Sequence, residues 1–310
     1  MAQLVDSHCH FTTVKQHRRE VNNVKSDVIR RCIMSCNIYD WSAVRGEGDI
    51  IAFGVHPWYS HLFYIGLEKH SKDEHYRKVL KYSKDSDEVK ELIKALPDPI
   101  SLEEHIQGAK SDKFDQVKCI GEIGIDRLFR LPEDGFFNDL GDATARPRLT
   151  RVTVKVEHQV AVFRRMCQLA VETGLAVSIH AVKCQELLFN VCRDELGPYS
   201  SVTICLHSYM GSVEFVRNFW LRNFPYSRLF LSISFAINLQ NKSSALELIK
   251  SVPLQCLLSE TDLTIDTVPI EIQIVHLEKV LGIIQEAHSL KSLQDAKCLV
   301  YNNFCRLFHF

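Results

Sequence analysis

The chain has 310 residues, of which 46% are hydrophobic and 24% charged, enough apolar material for a large folded core. Its formal net charge is −1, which excludes a protein that holds duplex DNA mainly through charge, so any contact with nucleic acid should be local. No apolar run reaches the about 18 residues that a membrane span requires, so we expect no membrane association.

The eleven cysteines are an odd number and most lie within apolar runs, which is typical of reduced thiols inside a cell. The chain enters a predicted strand within its first few residues, without a charged and then apolar leader. We therefore expect a cytoplasmic protein, with the nucleus as a second location.

Eight strands are predicted from continuous or nearly continuous apolar runs, the pattern of parallel strands that are covered on both faces. They cover residues 3–8, 31–37, 50–55, 116–123, 175–180, 202–207, 228–235 and 255–260. Helical periodicity separates several of them, most clearly over residues 157–173, which end at Gly174. Strands that alternate with helices predict an α/β fold, and eight such units predict a single (β/α)8 barrel over residues 1–310.

Two segments are longer than such a barrel needs. Residues 60–118 carry many charges of both signs, which indicates solvated helix rather than a basic arm. Residues 128–156 contain Pro132, Gly135, Gly141 and Pro147, which indicate an irregular loop followed by the start of a helix. Both segments leave from strands with candidate site residues at their ends, so we expect both to lie over the site.

Side chains that can bind metal stand where the predicted strands end, the edge at which barrel enzymes place their active sites. His8 and His10 occupy positions i and i+2 of the first strand, so both project from one side and can hold one cation, with Asp6 on the same face. The alternative is an exposed polar pair. Alternation directs Cys9, between the two histidines, away from that face.

Glu122 follows the apolar residues 117–120 of the fourth strand, in a Gly-Glu-Ile-Gly frame whose glycines let neighbouring backbone approach closely. A buried carboxylate without a cationic partner costs several kcal/mol or takes up a proton, and a carboxylate that bridges two cations avoids this cost. An ion pair of Glu122 with Arg127 or a nearby lysine is the alternative. His180 and His207 end the next two strands, where they predict two further ligands.

Asp262 follows the eighth strand, which lies beside the first strand if the barrel closes. It is predicted to bind the same metal as His8 and His10 and to take a proton from the attacking water, with Glu260 on that face or behind a ligand. His180 and His207 would hold a second metal, with Glu122 between the two ions. Imidazoles suit Zn, Mn, Ni or Co, and the carboxylates also admit Mg.

Six motifs in this order resemble the TatD-type metal-dependent deoxyribonucleases of the amidohydrolase-like barrel superfamily, in a divergent, eukaryotic-looking form. They are Asp-Ser-His-Cys-His-Phe, Gly-Val-His-Pro, Ile-Gly-Glu-Ile-Gly-Ile-Asp, Ser-Ile-His, Leu-His-Ser-Tyr-Met-Gly and Ser-Glu-Thr-Asp. The resemblance implies two divalent cations (Mg, Mn or Zn) and 3′ to 5′ exonuclease or endonuclease activity on DNA, single-stranded or at ends. It assigns His56 to the substrate phosphate and Asp126 to the support of a ligand.

The sequence departs from the family pattern around the substrate. Val182 stands where the family usually has an arginine, and Arg127 stands where an aromatic residue is common. Leu263 and the threonine after it replace a small residue and a proline, and Trp58 replaces the second histidine of a His-Pro-His motif. Arg127, or Lys183, is the candidate for the missing positive charge at the phosphate.

Two other functions fit the same residues. One is a hydrolase of small amides, lactones or phosphate esters in the same superfamily, although many such barrels use a carboxylated lysine where this chain has Glu122. The other is a barrel retained as a protein-binding module, with residues 60–118 as its contact surface. Six intact ligand positions argue against the second function.

Overall fold

The computed structural model describes residues 3–11, 26–45, 50–66, 70–84, 86–112, 114–135 and 148–310. One sheet of eight strands forms the centre, in which each strand is parallel to the next and the order in the sheet is the order in the chain. The strands are β1 (Leu4–His10), β2 (Ile29–Met34), β3 (Ile50–Phe53), β4 (Val117–Asp126), β5 (Ala176–Val182), β6 (Ile204–Leu206), β7 (Leu229–Ser234) and β8 (Leu257–Glu260). The predicted eight-stranded parallel barrel is confirmed.

The barrel closes between β1 and the residues that follow β8. The amide of Asp262 donates to the carbonyl of His8 at 3.0 Å, and the amide of His10 donates to the carbonyl of Leu263 at 2.9 Å. The amide of Ile265 then donates to the carbonyl of His10 at 2.9 Å. This closure brings the last predicted ligand next to the first two.

Helices cover the outside of the barrel. In the described residues, the helices of seven or more residues are Ile38–Val44, Lys72–Val79, Asp87–Ala95, Leu102–Lys110, Val156–Thr173, Gln185–Leu196, Lys242–Ser251, Ile270–His288 and Leu293–Leu307. Helix Val156–Thr173 ends at Gly174 with φ 67°, the left-handed cap that the sequence predicts. Within the described part of the chain, no helix combines the length and the apolar character that a bilayer crossing would require.

The charged segment 60–118 forms three of these helices, Lys72–Val79, Asp87–Ala95 and Leu102–Lys110, each with buried residues on one face. Two small sheets tie it to its surroundings: Phe63–Tyr64 pairs with Ile100–Ser101, and Leu80–Lys81 pairs with Thr153–Val154. In segment 128–156, Pro132 bridges to Leu149 in antiparallel register, and the next helix begins at Val156. Gly141 and Pro147 of this predicted loop lie outside the described residues.

Gly124 lets two strands that carry site residues pack closely. Its φ is 153°, and a Cβ atom at this position would lie 2.0 Å from the carbonyl oxygen of His180 on β5. We expect Gly124→Ala to lower the free energy of unfolding by about 3 kcal/mol or more, because a backbone atom cannot move aside as a flexible side chain does.

Gly282 is the matched control for this substitution. It lies in helix Ile270–His288, where a Cβ atom would meet no described atom within 4 Å beyond the backbone of its own helix. Gly282→Ala should raise stability by about 0.8 kcal/mol, since alanine is the better helix former. Urea denaturation of both variants measures the difference, and equal stabilities would contradict the close approach at Gly124.

Candidate metal centre

The six predicted ligands lie together at the mouth of the barrel. His8 and His10 are on β1, Glu122 is on β4 and His180 is on β5, while His207 is the first residue after β6 and Asp262 the second residue after β8. Three overlapping groups have donor atoms within 4.8 Å of one another: His8, His207 and Asp262; His8, His10 and Glu122; His56, Glu122 and His180. Strands that are far apart in sequence thus bring all six to one place.

The carboxylate of Glu122 lies between two pairs of histidines. Its Oε2 is 3.4 Å from Nε2 of His8 and 3.5 Å from Nε2 of His10. Its Oε1 is 2.8 Å from Nδ1 of His180 and 2.9 Å from Nε2 of His207. One oxygen therefore faces each pair, which is the arrangement of a carboxylate shared by two cations.

Asp262 completes the group on the His8 side. Its Oδ1 is 3.2 Å from Nε2 of His10 and 3.9 Å from Nε2 of His8. The backbone of Asp262 has φ 55°, the left-handed region, in which an aspartate is tolerated better than most residues. This turn, together with the hydrogen bond of its amide to His8, aims the carboxylate into the mouth.

The spacing of the donors fits cations between them. Ligand atoms about 2.1 Å from one ion lie about 2.9 to 3.4 Å apart in octahedral or tetrahedral arrangements. Nε2 of His8 is 3.2 Å from Nε2 of His10, and Nδ1 of His180 is 3.2 Å from Nε2 of His207. In the described part of the chain, the buried Oε1 of Glu122 has no hydrogen bond of good geometry, although three imidazole nitrogens lie within 3.3 Å of it.

The Nδ1 atoms of the β1 histidines, which face away from Glu122, contact neighbouring side chains. Nδ1 of His8 lies 2.8 Å from Oγ of Ser178, and Nδ1 of His10 lies 3.5 Å from Sγ of Cys36. Such contacts fix the orientation of a metal-binding imidazole. Neither Ser178 nor Cys36 was among the residues predicted from the sequence. Ser178 has a visible signal, because it stands two residues before His180 on the same strand.

Carboxylates lie next to the outer ring nitrogens of the other two histidines. Oδ2 of Asp126 is 3.4 Å from Nε2 of His180, and Oε1 of Glu260 is 3.4 Å from Nδ1 of His207. Glu260 also accepts hydrogen bonds from the amide and the hydroxyl of Ser208. Asp126 and Glu260 thus lie behind the candidate ligands.

Asp6 does not join the cluster, although alternation predicts it on the face of His8 and His10. Its carboxylate accepts hydrogen bonds from the amide and hydroxyl of Thr261, at 2.9 and 2.6 Å. The pairing of β1 with β2 shifts register between Asp6 and Cys9, and this irregularity interrupts the alternation. Cys9 points away as predicted, with Sγ 3.4 Å from the carbonyl oxygen of Cys32.

The carboxylates of the mouth are ionised. Burial opposes the ionisation of Glu122, but the histidines around it hold its pKa well below the usual value. Burial also opposes the ionisation of Asp262, and the hydrogen bond from His10 lowers its pKa to about 2. Bonds from His180 and Trp58 overcome the burial of Asp126 and lower its pKa to about 2. The same carboxylates raise the pKa values of His10, His180 and His207 against the effect of burial. Three carboxylates, together with imidazoles that release their protons when a metal binds, form a donor set suited to divalent cations.

The family model that matches this chain is that of the TatD-related DNases, and the match covers residues 5–309. The chain belongs to this family. It is a metal-dependent hydrolase of the TatD family, and the resemblance stated from the motifs is confirmed.

Two curated relatives match over most of the chain. A Saccharomyces cerevisiae protein named an uncharacterized deoxyribonuclease is 44% identical over 274 residues, which cover 86% of this chain and 85% of the relative. The Cut9-interacting protein scn1 of Schizosaccharomyces pombe is 31% identical over 302 residues, with 84% and 87% covered.

Solved TatD-family structures share the fold. A hydrolase from Entamoeba histolytica superposes with a TM-score of 0.60 at 15% identity, over 99% of each chain. A TatD homologue from Escherichia coli superposes with a TM-score of 0.58 at 17% identity, over 99% of this chain and 98% of the other.

His56 lies on the Oε1 side of the mouth, with Nε2 3.3 Å from Oε1 of Glu122. Its Nδ1 accepts a hydrogen bond from the amide of Trp58, and burial lowers the pKa of His56 to about 4. The neutral ring therefore carries its proton on Nε2. A ring in this state donates a hydrogen bond into the mouth.

The residues that depart from the TatD pattern lie at the rim. Arg127 is exposed and follows β4 directly, where its amide donates to the carbonyl of Val182 at 3.1 Å. Lys183 is also exposed and has φ 52°. Leu263 takes part in barrel closure through its carbonyl, and Trp58 donates from Nε1 to Oδ2 of Asp126 at 2.7 Å.

Proposed function

We propose that this protein is a two-metal phosphodiesterase that hydrolyses DNA, with single-stranded DNA and strand ends as its substrates. The observation that carries the proposal is the position of Glu122, with one carboxylate oxygen toward His8 and His10 and the other toward His180 and His207. The family, and the name of the Saccharomyces cerevisiae relative as a deoxyribonuclease, support DNA as the substrate.

In this proposal His8, His10 and Asp262 would hold one divalent cation, His180 and His207 would hold the other, and Glu122 would contribute to both sites. Mg, Mn and Zn all suit this mixture of nitrogen and oxygen donors. Two such cations supply Lewis-acid stabilisation of the charge on the phosphoryl oxygens and make water a better nucleophile at neutral pH.

Side chains at the mouth would accept the proton and bind the phosphates. Asp262 is ionised and its side chain is 23% exposed, so its carboxylate can accept a proton from the water that attacks the phosphorus. His56 donates from Nε2 to a non-bridging phosphate oxygen. Arg127 and Lys183, both exposed at the rim, attract the phosphates of the strand.

Metal removal and replacement test the proposal directly. Protein stripped with a chelator should leave a labelled single-stranded oligonucleotide intact, and addition of Mg, Mn or Zn should restore degradation. Elemental analysis should find two metal equivalents per chain. The activity should co-elute with the 35.6 kDa protein in size exclusion, which separates it from a contaminating nuclease.

Each other outcome points elsewhere. Two bound equivalents without degradation of any DNA would favour a hydrolase of small esters or amides in the same barrel. A protein that binds no metal would overturn both enzymatic functions.

A protein-contact role for segment 60–118 is a second candidate, since the Schizosaccharomyces pombe relative is named for an interaction with another protein. The exposed faces of helices Lys72–Val79 and Asp87–Ala95 carry charges of both signs for such a contact. Charge reversals on these faces should leave DNA hydrolysis unchanged if the segment binds a protein rather than the substrate.

A further inference from the structure

Two aromatic side chains form a stacked pair at the rim of the mouth. The rings of Trp58 and Phe129 have centroids 4.9 Å apart and planes 15° apart. Trp58 follows β3 in helix Pro57–Leu62, and Phe129 follows β4. One ring therefore lies just before segment 60–118, and the other lies at the start of segment 128–156.

This pair is connected to the candidate metal centre by short contacts. Nε1 of Trp58 donates to Oδ2 of Asp126 at 2.7 Å, and the same oxygen lies 3.4 Å from Nε2 of His180. The ring of His56 meets the ring of Trp58 edge-on, at a centroid distance of 5.0 Å. The indole is thus two contacts from the side of Glu122 that faces His180.

Trp58 is nevertheless 37% exposed, whereas Trp41 is 7% and Trp220 is 0% exposed. A tryptophan whose N–H is satisfied and whose ring is supported by another aromatic ring keeps its position without further burial. An apolar surface that is rigid, flat and open to solvent beside a phosphodiesterase centre is suited to stack an unpaired base.

We infer that Trp58 and Phe129 form a nucleobase platform, which holds the base of a nucleotide next to the phosphate at the metal centre. This inference rests on the proposed function. An unpaired base offers its face to such a platform and a paired base inside a duplex does not, so the platform selects single strands and frayed ends. Because every base has a π face, little preference among the four bases is expected.

The other role for Trp58 is to position Asp126 through its N–H. The two roles separate by substitution, because Trp58→Phe keeps an aromatic ring and removes the donor, whereas Trp58→Leu removes both. A platform requires that the Phe variant bind DNA nearly as well as the wild type. A purely positioning role requires that both variants lose the same amount.

The experiment uses metal-loaded protein and nuclease-resistant phosphorothioate oligothymidylates. One series is intact, and the other has an abasic site at each position in turn. Binding should quench the fluorescence of Trp58, the one exposed tryptophan of the three, which all lie in described residues. An abasic site at one position should remove most of the quenching and weaken Kd about 5- to 100-fold in the wild type.

Trp58→Leu should weaken binding of the intact strand by the same factor and show no further effect of the abasic site, whereas Trp58→Phe should stay within about 3-fold of the wild type. Tyr199→Leu is the matched control. Tyr199 is 47% exposed and lies just before β6, away from the mouth, so its loss should change nothing.

The outcomes separate this inference from the function on which it rests. Wild-type protein that cleaves DNA, together with a Trp58→Leu variant that still responds to the abasic site, would overturn the platform and leave the nuclease standing. Equal losses in the Phe and Leu variants would also overturn it, in favour of the positioning role. If the wild type neither binds nor cleaves DNA, the proposed function itself is wrong.

Discussion

Glu122→Gln is expected to lower kcat/KM on single-stranded DNA by at least about 10³-fold and to reduce bound metal below two equivalents. The amide has the shape of the carboxylate, but it has no charge and only one oxygen that accepts. It therefore cannot serve the pair His8 and His10 and the pair His180 and His207 at once. A loss of about 4 kcal/mol of charge stabilisation in the transition state corresponds to this factor.

Elemental analysis, DNA degradation and the metal-induced rise in melting temperature measure the effect together. A cation that binds only the folded state raises the melting temperature, so the variant should show a smaller rise than the wild type. Glu172→Gln is the matched control, because Glu172 lies in the last turn of helix Val156–Thr173 and pairs with Lys110 and Arg165. A Glu122→Gln enzyme with both metals and wild-type turnover would exclude Glu122 as the bridge.

The barrel was predictable because parallel strands that are covered on both faces have uninterrupted apolar sequences. The ends of the strands were less predictable, because side-chain hydrogen bonds end them. The second strand was predicted over residues 31–37 but ends at Met34, since Asn37 caps the helix that follows, in a reciprocal pair of bonds with Asp40. The fourth strand was predicted over residues 116–123 but continues to Asp126, because Ile125 and Asp126 still pair with β5.

The position of the site could be predicted from the topology of the barrel, but the individual side-chain contacts could not. The C-terminal ends of the parallel strands of a barrel all lie at one edge, so polar residues near these ends of β1, β4, β5, β6 and β8 had to meet. The failure at Asp6 has a local cause, since a register shift in β1 changes which face each side chain takes. Cys36 behind His10 was not predictable, because a cysteine after an apolar strand is indistinguishable from a core residue until the neighbouring strand is placed.

Asp262→Gly is expected to lower kcat about 10²- to 10⁴-fold, the usual contribution of a positioned general base. Glycine is the informative replacement here because Asp262 has φ 55°. It removes the carboxylate without the backbone strain of about 1 kcal/mol or more that another side chain would add there. Asp262→Ala should accordingly melt at a lower temperature than Asp262→Gly, although both lack the carboxylate.

Formate then distinguishes the two roles of this side chain. Asp262→Gly leaves a space in which a small carboxylate can accept the proton of the attacking water, so formate should restore at least about tenfold of the lost rate at saturating metal. The larger butyrate should not, and formate should leave the wild type unchanged.

Rescue by saturating metal alone would assign Asp262 to metal binding only. The proton would then have to pass to another acceptor, and no other carboxylate of the described mouth combines ionisation with comparable exposure: the side chains of Glu122 and Asp126 are 3% and 5% exposed, against 23% for Asp262. For this reason the formate experiment on Asp262→Gly decides whether Asp262 is the general base.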